Sequence, residues 1–290
     1  MTNLNPFHEC GGAFDVSHPL ACEIPLVVDS PHSWGLWPKD VFCIAPENAL
    51  ATSWDAYVDQ LWRSALSAQA PLLSAKFHRS FIDANRARDD IDPEMLEGAW
   101  PYPVRPTEKS DRGFGLIRRY ALPNVPVYDR LLTVSEVRSR IENFYDPYHL
   151  RLKQLIEKTH SQWGMCLHLN CHSMKSIGND MNDDSGQVRP DMVVSDLDGV
   201  SSSQRLTQTI ANLLRDQGYS VNINHPYKGA ELIKRYSHPD RKRHSVQIEI
   251  SRALYMDEKK FEKSVNFNLL SRNLRNFIID LTSVIKSSEF

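Results

Sequence analysis

Short apolar runs recur along the chain, separated by longer stretches of mixed polarity. Segments 24–30, 71–77, 80–84, 165–170, 192–196, 219–224 and 245–250 have the length and composition of buried strands. Between them the apolar spacing widens to that of helices. Segment 52–68 puts Trp54, Val58, Leu61, Trp62 and Ala65 on one helical face. Segment 134–159 carries Ile141, Phe144, Tyr148, Leu152 and Ile156, with Pro147 a point of interruption. Segment 203–217 ends at Gly218, a helix stop, and 259–285 runs through Phe261, Val265, Leu269, Leu274, Phe277 and Leu281. Strands alternating with helices of this length predict an α/β fold in which a mostly parallel sheet is covered on both faces. With no repeat and no linker, one domain over residues 1–290 is expected. Segment 86–131 is long, irregular and rich in Pro, Arg and Asp. Such a segment in a compact domain is usually a lid or a binding loop.

Composition narrows the function. The hydrophobic fraction of 41% is enough for a sizeable core, and a net charge of −2 argues against a nucleic-acid or membrane-surface partner. No apolar run approaches the roughly 20 residues of a membrane span. The first residues lack the basic and apolar regions of a secretory leader, and the five cysteines contain no CxxC pair, so a cytoplasmic location without a disulfide framework is expected. Cys166 and Cys171 are five apart on one strand, so they should face opposite ways and not share a metal.

The chemistry lies near the strand ends. Leu26-Val27-Val28-Asp29-Ser30-Pro31-His32 ends in histidine, a second run carries His168 and His172, and a third contains Glu249. In open α/β sheets ligands bind at the carboxyl edge of the strands. Two imidazoles, a carboxylate and one open position make a hydrolytic zinc site. His32 and His172 are read as ligands in turns just after their strands. The carboxylate is Asp55 or Asp59; Asp55 is favoured because it falls in the first turn of the helix expected after the first strand. Glu249, inside an apolar strand, suits a general base toward water at the metal, the alternative being a buried ion pair with Arg252 or a lysine. His168 is deeper and reads as a core histidine. Arg86, at a strand end after Asn85, suits a free carboxylate of the substrate; the alternative is a solvated surface arginine.

These motifs resemble the N-formylglutamate amidohydrolases, relatives of the zinc carboxypeptidases and of the aspartoacylase and succinylglutamate desuccinylase group. The resemblance spans nearly the whole chain. It rests on Ser30-Pro31-His32-Ser33, Asp55-Ala56-Tyr57-Val58-Asp59-Gln60-Leu61, Ile82-Asp83-Ala84-Asn85-Arg86 and Gly113-Phe114-Gly115-Leu116-Ile117. It continues with Asp146-Pro147-Tyr148-His149, Cys171-His172-Ser173-Met174, Arg189-Pro190-Asp191, Asn224-His225-Pro226-Tyr227-Lys228-Gly229 and the stretch from Gln247 to Met256. It implies a phosphorylase/hydrolase-like three-layer α/β/α sandwich with a mostly parallel mixed sheet. It also implies one zinc per chain on His32, His172 and a carboxylate, Glu249 as general base, and removal of an acyl group, typically formyl, from an amino acid. Asn85 and Arg86 match the pair that holds the substrate carboxylate in related carboxypeptidases, and Tyr227 falls in a shared motif. A glutamate side chain needs a second cation, for which Arg79, Arg140, Arg189 and Arg252 are candidates. The sequence departs from the family pattern at Trp34, Asn170, Ala230 and Ser251, where glycine, aspartate, glycine and asparagine are usual. Trp34 is expected to reshape the pocket mouth and to admit an apolar or aromatic side chain as an alternative substrate. A third reading is a metal-free binding protein on the same fold, against which His32, His172 and Glu249 stand.

Overall fold

In the computed structural model, which describes residues 7–18, 24–178 and 184–287, the apolar runs pair into one eight-stranded sheet. Its strands are β1 (Phe7–Cys10), β2 (Phe14–His18), β3 (Leu26–Ser30), β4 (Leu72–Ala75), β5 (Cys166–Met174), β6 (Met192–Ser195), β7 (Val221–Ile223) and β8 (Arg243–Ser251). They lie in the order β1-β2-β4-β3-β5-β8-β6-β7. The central pairs β4/β3, β3/β5 and β5/β8 are parallel, and β6 joins β8 antiparallel. The expected mostly parallel mixed sheet is thus present.

Alternation along the strands separates two cores. Leu26, Val28, Leu167, Leu169, Cys171, Val246, Ile248 and Ile250 pack with Leu206, Ile210, Leu214, Leu274, Phe277 and Leu281. Those partners come from α4 (Gln204–Asp216) and α6 (Phe267–Ser287); further helices are α1 (Val58–Leu61), α2 (Val134–Arg140), α3 (Asp146–Trp163) and α5 (Glu231–Tyr236). On the opposite face Val27, Leu73, Ala75 and Cys166 pack with Tyr145, Tyr148, Leu152 and Ile156 near and along α3. Cys166 and Cys171 fall in different cores, both buried with their thiols pushed up in pKa by burial. Cys43, Cys166 and Cys171 are free thiols, Cys22 lies outside the described residues, and nothing is described of the Cys10 side chain. No described helix is long and apolar enough to cross a membrane.

Several elements differ from the sequence expectation, each for a local reason. Segment 80–84 is a turn, not a strand: the Asp83 carboxylate accepts from the Asn85 backbone N–H at 2.9 Å, which competes with a ladder bond. The helix expected at 52–68 breaks into α1 and Ser64–Ser67, with Tyr57 left-handed at φ 63° just before α1. Its apolar face is nonetheless buried where the spacing puts it. The 134–159 helix runs on as α2 and α3 through a π turn at Ile141–Tyr145, which absorbs the backbone donor that Pro147 lacks. The last helix starts at Phe267, because Met256–Asp257 and Glu262–Lys263 pair as a hairpin. Segment 86–131 holds a 3-10 turn at Pro93–Met95, the four-residue helix Glu108–Asp111 and strands of two or three residues.

Candidate active site

The register of the central strands assembles the site. Asp29 pairs with Asn170 across β3/β5, and Glu249 pairs with His172 across β5/β8. His32 lies in the turn that follows β3, whereas His172 lies inside β5, which continues to Met174 rather than ending before it. The Nδ1 atoms of His32 and His172 are 3.1 Å apart, and Asp55 Oδ2 lies 3.0 Å from His172 Nδ1 and 3.5 Å from His32 Nδ1. A tetrahedral centre with bonds of 2.0–2.2 Å sets its ligand atoms about 3.3–3.6 Å apart; the 3.5 Å edge falls in that range and the 3.0 and 3.1 Å edges just short of it, close to what one small divalent ion requires. Asp59 is not part of it; its backbone N–H goes to Ser33 Oγ. Asp55 enters by a route other than helix geometry: it sits in the turn ahead of α1, where its N–H donates to the His32 carbonyl at 3.1 Å.

Each group in the triangle is held from behind. His32 Nε2 lies 2.6 Å from Asp83 Oδ1, and His172 Nε2 lies 2.8 Å from Asn170 Oδ1 and 3.2 Å from Asn85 Nδ2. Partners on the far ring nitrogen fix tautomer and ring orientation. Asn170 therefore holds this ring with a neutral amide oxygen rather than a charge. Arg252 donates to Asp55 Oδ1 at 3.1 Å and to Ser173 Oγ at 3.1 Å. Burial alone would raise the Asp55 pKa, but hydrogen bonds and charge from His172 and His32 hold it well below the usual carboxylate range. Beneath the site Asp29 accepts from Tyr148 Oη at 2.6 Å, Asn170 Nδ2 at 2.8 Å and His168 Nε2 at 2.9 Å. His168 is the core histidine the sequence suggested, with a carboxylate partner.

Glu249 is buried with its carboxyl pKa raised by that burial, and it accepts from Gln247 Nε2 at 2.9 Å. Arg252, its alternative partner, turns to Asp55 instead. Glu249 lines a cavity of about 300 Å³ together with Asp55, His172, Arg79, Asn85, Arg86, Lys109, Tyr227 and Lys228. A second cavity of about 140 Å³ shares Asp55, Arg79, Ser173 and Tyr227 with the first.

Arg86 faces the larger cavity and is anchored through Nε to the Phe114 carbonyl at 3.0 Å, so it is not a solvated surface arginine. Arg79 lines both cavities and pairs with Asp83 Oδ2 at 3.0 Å. Tyr227 also lines both, its hydroxyl pKa pushed up to about 12 by burial and the nearby Glu249. Arg140 belongs elsewhere: its guanidinium stacks on Phe81 at 4.3 Å and donates to Tyr128 Oη at 2.6 Å, a packing role the sequence could not separate from a binding one. Arg189 and Arg252 line the smaller cavity but are bound to Asp184 and Asp55. Trp34 lines neither cavity and lies against Lys76, so it does not shape the pocket mouth. Ala230 adopts φ −148°, which any residue accepts, while Gly229 at φ 104° has no room for a side chain beside Ile233.

Sequence reasoning missed Asp83, Lys109, Arg118 and Lys228. Asp83 sat in a quoted motif without a role. Lys109 and Arg118 come from the irregular 86–131 segment, whose only signal was its length and composition. The charge of Arg86 and burial push the Lys109 ammonium down to a pKa of about 8.

Comparison with known proteins sets this arrangement among amide-hydrolysing enzymes. The sequence model of the N-formylglutamate amidohydrolase family matches residues 24–256, and the chain belongs to that family. It is 27% identical over 240 residues to the N-formylglutamate deformylase of Pseudomonas putida, covering 81% of this chain and 83% of that protein. The crystal structure of N-formylglutamate amidohydrolase from Ralstonia eutropha JMP134 covers 95% of this chain and 99% of its own at 38% identity, with a TM-score of 0.90. A protein of Agrobacterium tumefaciens, 17% identical with a TM-score of 0.62, shares the fold.

Proposed function

We propose that this enzyme hydrolyses the amide bond of an N-formyl amino acid with an acidic side chain, N-formyl-L-glutamate foremost, to formate and L-glutamate. The observation that carries the substrate class is the lining of the larger cavity, where Arg79 and Lys228 are matched by Asp83 and Asp198 but Arg86 and Lys109 have no ion pair among the described residues. A dicarboxylate suits such a wall; an apolar side chain does not, and Trp34 is not there to receive one. His32, Asp55 and His172 would hold one zinc ion, whose chemistry there would be Lewis acidity toward the amide carbonyl and a lowered pKa of water.

The remaining steps fall to side chains. Glu249 takes the proton of the attacking water and passes it to the leaving amine; its raised pKa suits a group that must carry a proton between steps. Arg86 binds the α-carboxylate with its free guanidinium nitrogens, and Lys109 beside it binds the side-chain carboxylate. The enzyme acts in the cytoplasm on a small molecule. Metal analysis of the purified protein, with formate release measured over N-formyl-glutamate, -glutamine and -leucine, tests the proposal. One zinc per chain with formylglutamate the best substrate is expected. Fastest release from formylleucine supports the apolar reading, and absence of metal and turnover supports a binding protein.

A further inference from the structure

The smaller cavity has no task in removing a formyl group. Its place in the reaction follows from Glu249, on the proposed deacylation. The group that protonates the leaving amine must reach it, and Glu249 lines the larger cavity and not the smaller. The amino-acid half therefore lies in the larger cavity, and the acyl half faces the smaller one. A formyl group carries only hydrogen beyond its carbonyl. The space there is about 140 Å³, room for about five waters at ~30 Å³ each.

The smaller cavity is also charged. Arg79, Arg118, Lys175, Arg189 and Arg252 line it against one carboxylate, Asp55. Three of these cations are matched: Arg79 by Asp83, Arg189 by Asp184 and Arg252 by Asp55. Arg118 is 7% exposed. Its Nη2 comes no nearer than 4.0 Å to the Asp83 oxygen that Arg79 already holds, and its Nε has no hydrogen-bond partner. The half-buried Lys175 ammonium has no ion pair among the described residues, although the Glu258 charge acts on it. The Arg118 and Lys175 pKa values are both lowered, by burial first and then by neighbouring arginines. Asp83, already held by Arg79, acts on Arg118, and Glu258, which accepts from the Ser176 backbone N–H, acts on Lys175; cations so weakly matched are costly to bury unless something anionic joins them.

We propose that the smaller cavity is a carboxylate subsite on the acyl side, read by Arg118 and Lys175. The carboxylate is either that of released formate or the terminal carboxylate of a longer acyl group, and two measurements separate the sources. The first is binding of sodium formate to the purified enzyme by saturation-transfer NMR, with Arg118→Met and Lys175→Met as variants. Each is expected to weaken formate binding at least ~5-fold. The second is the ratio of kcat/KM for N-malonyl-L-glutamate over the neutral, size-matched N-isovaleryl-L-glutamate. If an acyl carboxylate is the ligand, the wild type prefers the malonyl compound ~10-fold or more and both variants lose that preference. Weakened formate binding without a malonyl preference identifies free formate as the ligand. Lys175→Met, at a half-buried position, keeps the test open if Arg118→Met does not fold. Formate binding and malonyl preference both unchanged in the variants overturn the proposal. Formate binding does not need turnover, so an enzyme inactive on formylglutamate sinks the proposed function and leaves this measurement readable.

Discussion

Replacing Lys109 with methionine removes one charge from the larger cavity and keeps an unbranched side chain. The proposed contact is ammonium to the side-chain carboxylate of the substrate, in a cavity where Arg86, Arg79 and Arg118 act on the same group and Asp83 opposes them. A charge-assisted hydrogen bond of this kind contributes about 1.5–3 kcal/mol, so kcat/KM for formylglutamate should fall ~10–150-fold. For formylglutamine, which has no carboxylate there, the loss should stay within about threefold. The pKa of about 8 adds a second signature. A depressed ammonium pKa means that the charge is lost as pH rises through that value. The protonated fraction of the free enzyme falls about tenfold between pH 7 and pH 9, and kcat/KM reports the free enzyme. The preference for formylglutamate over formylglutamine should therefore shrink about tenfold over that interval, while the contribution of Glu249, common to both substrates, cancels in the ratio. Parallel stopped-time assays of formate release at pH 7, 8 and 9 supply the numbers. A preference that is flat with pH, or a Lys109→Met enzyme as selective as the wild type, refutes the assignment.

Other substitutions test the rest of the site. Glu249→Gln should retain metal and substrate affinity but lower kcat by ~10²–10⁴-fold, and a near-normal kcat removes it from the mechanism. His172→Ala should lose most of its bound zinc by mass spectrometry, since two of the three ligand-atom contacts in the triangle involve this ring; full metal content contradicts the centre. Arg86→Ala should cost ~10–150-fold in kcat/KM with zinc unchanged, and Arg86→Lys should recover part of it. Equal hydrolysis of formylglutamate and its C-terminal amide by the wild type contradicts that role. Asp29→Ala leaves Tyr148, Asn170 and His168 without their acceptor and should destabilise by about 3–5 kcal/mol in thermal or urea unfolding. Burial opposes ionisation of Asp29, but the charge of His168 and the three donors hold its pKa below the usual value. Its contribution is therefore full above the unfolded carboxylate pKa of about 4 and fades as pH falls further. A gap between variant and wild type that widens in acid contradicts this account.

The sequence by itself determined the layering and the cast of the active edge. Strand side chains alternate with period two, so Leu167, Leu169 and Cys171 had to face one way and His168, Asn170 and His172 the other. Parallel strands bring their carboxyl ends to one edge, which made His32, His172 and Glu249 neighbours before any contact was known. The tertiary structure alone decided the rest. Whether Asp55 or Asp59 joins the histidines depends on how the chain leaves β3, because a backbone bond from Asp55 to the His32 carbonyl overrides the helical pattern of 52–68. Arg140, Arg189 and Arg252 look alike in sequence, yet one packs on aromatic rings, one binds Asp184 and one braces Asp55. The same holds for Lys109 and Arg118, which stand in the cavities because an aperiodic segment folds over the edge. Periodicity reports which face a residue takes within its own element. The meeting of charges from distant loops depends on strand register and turn geometry, which no local pattern encodes.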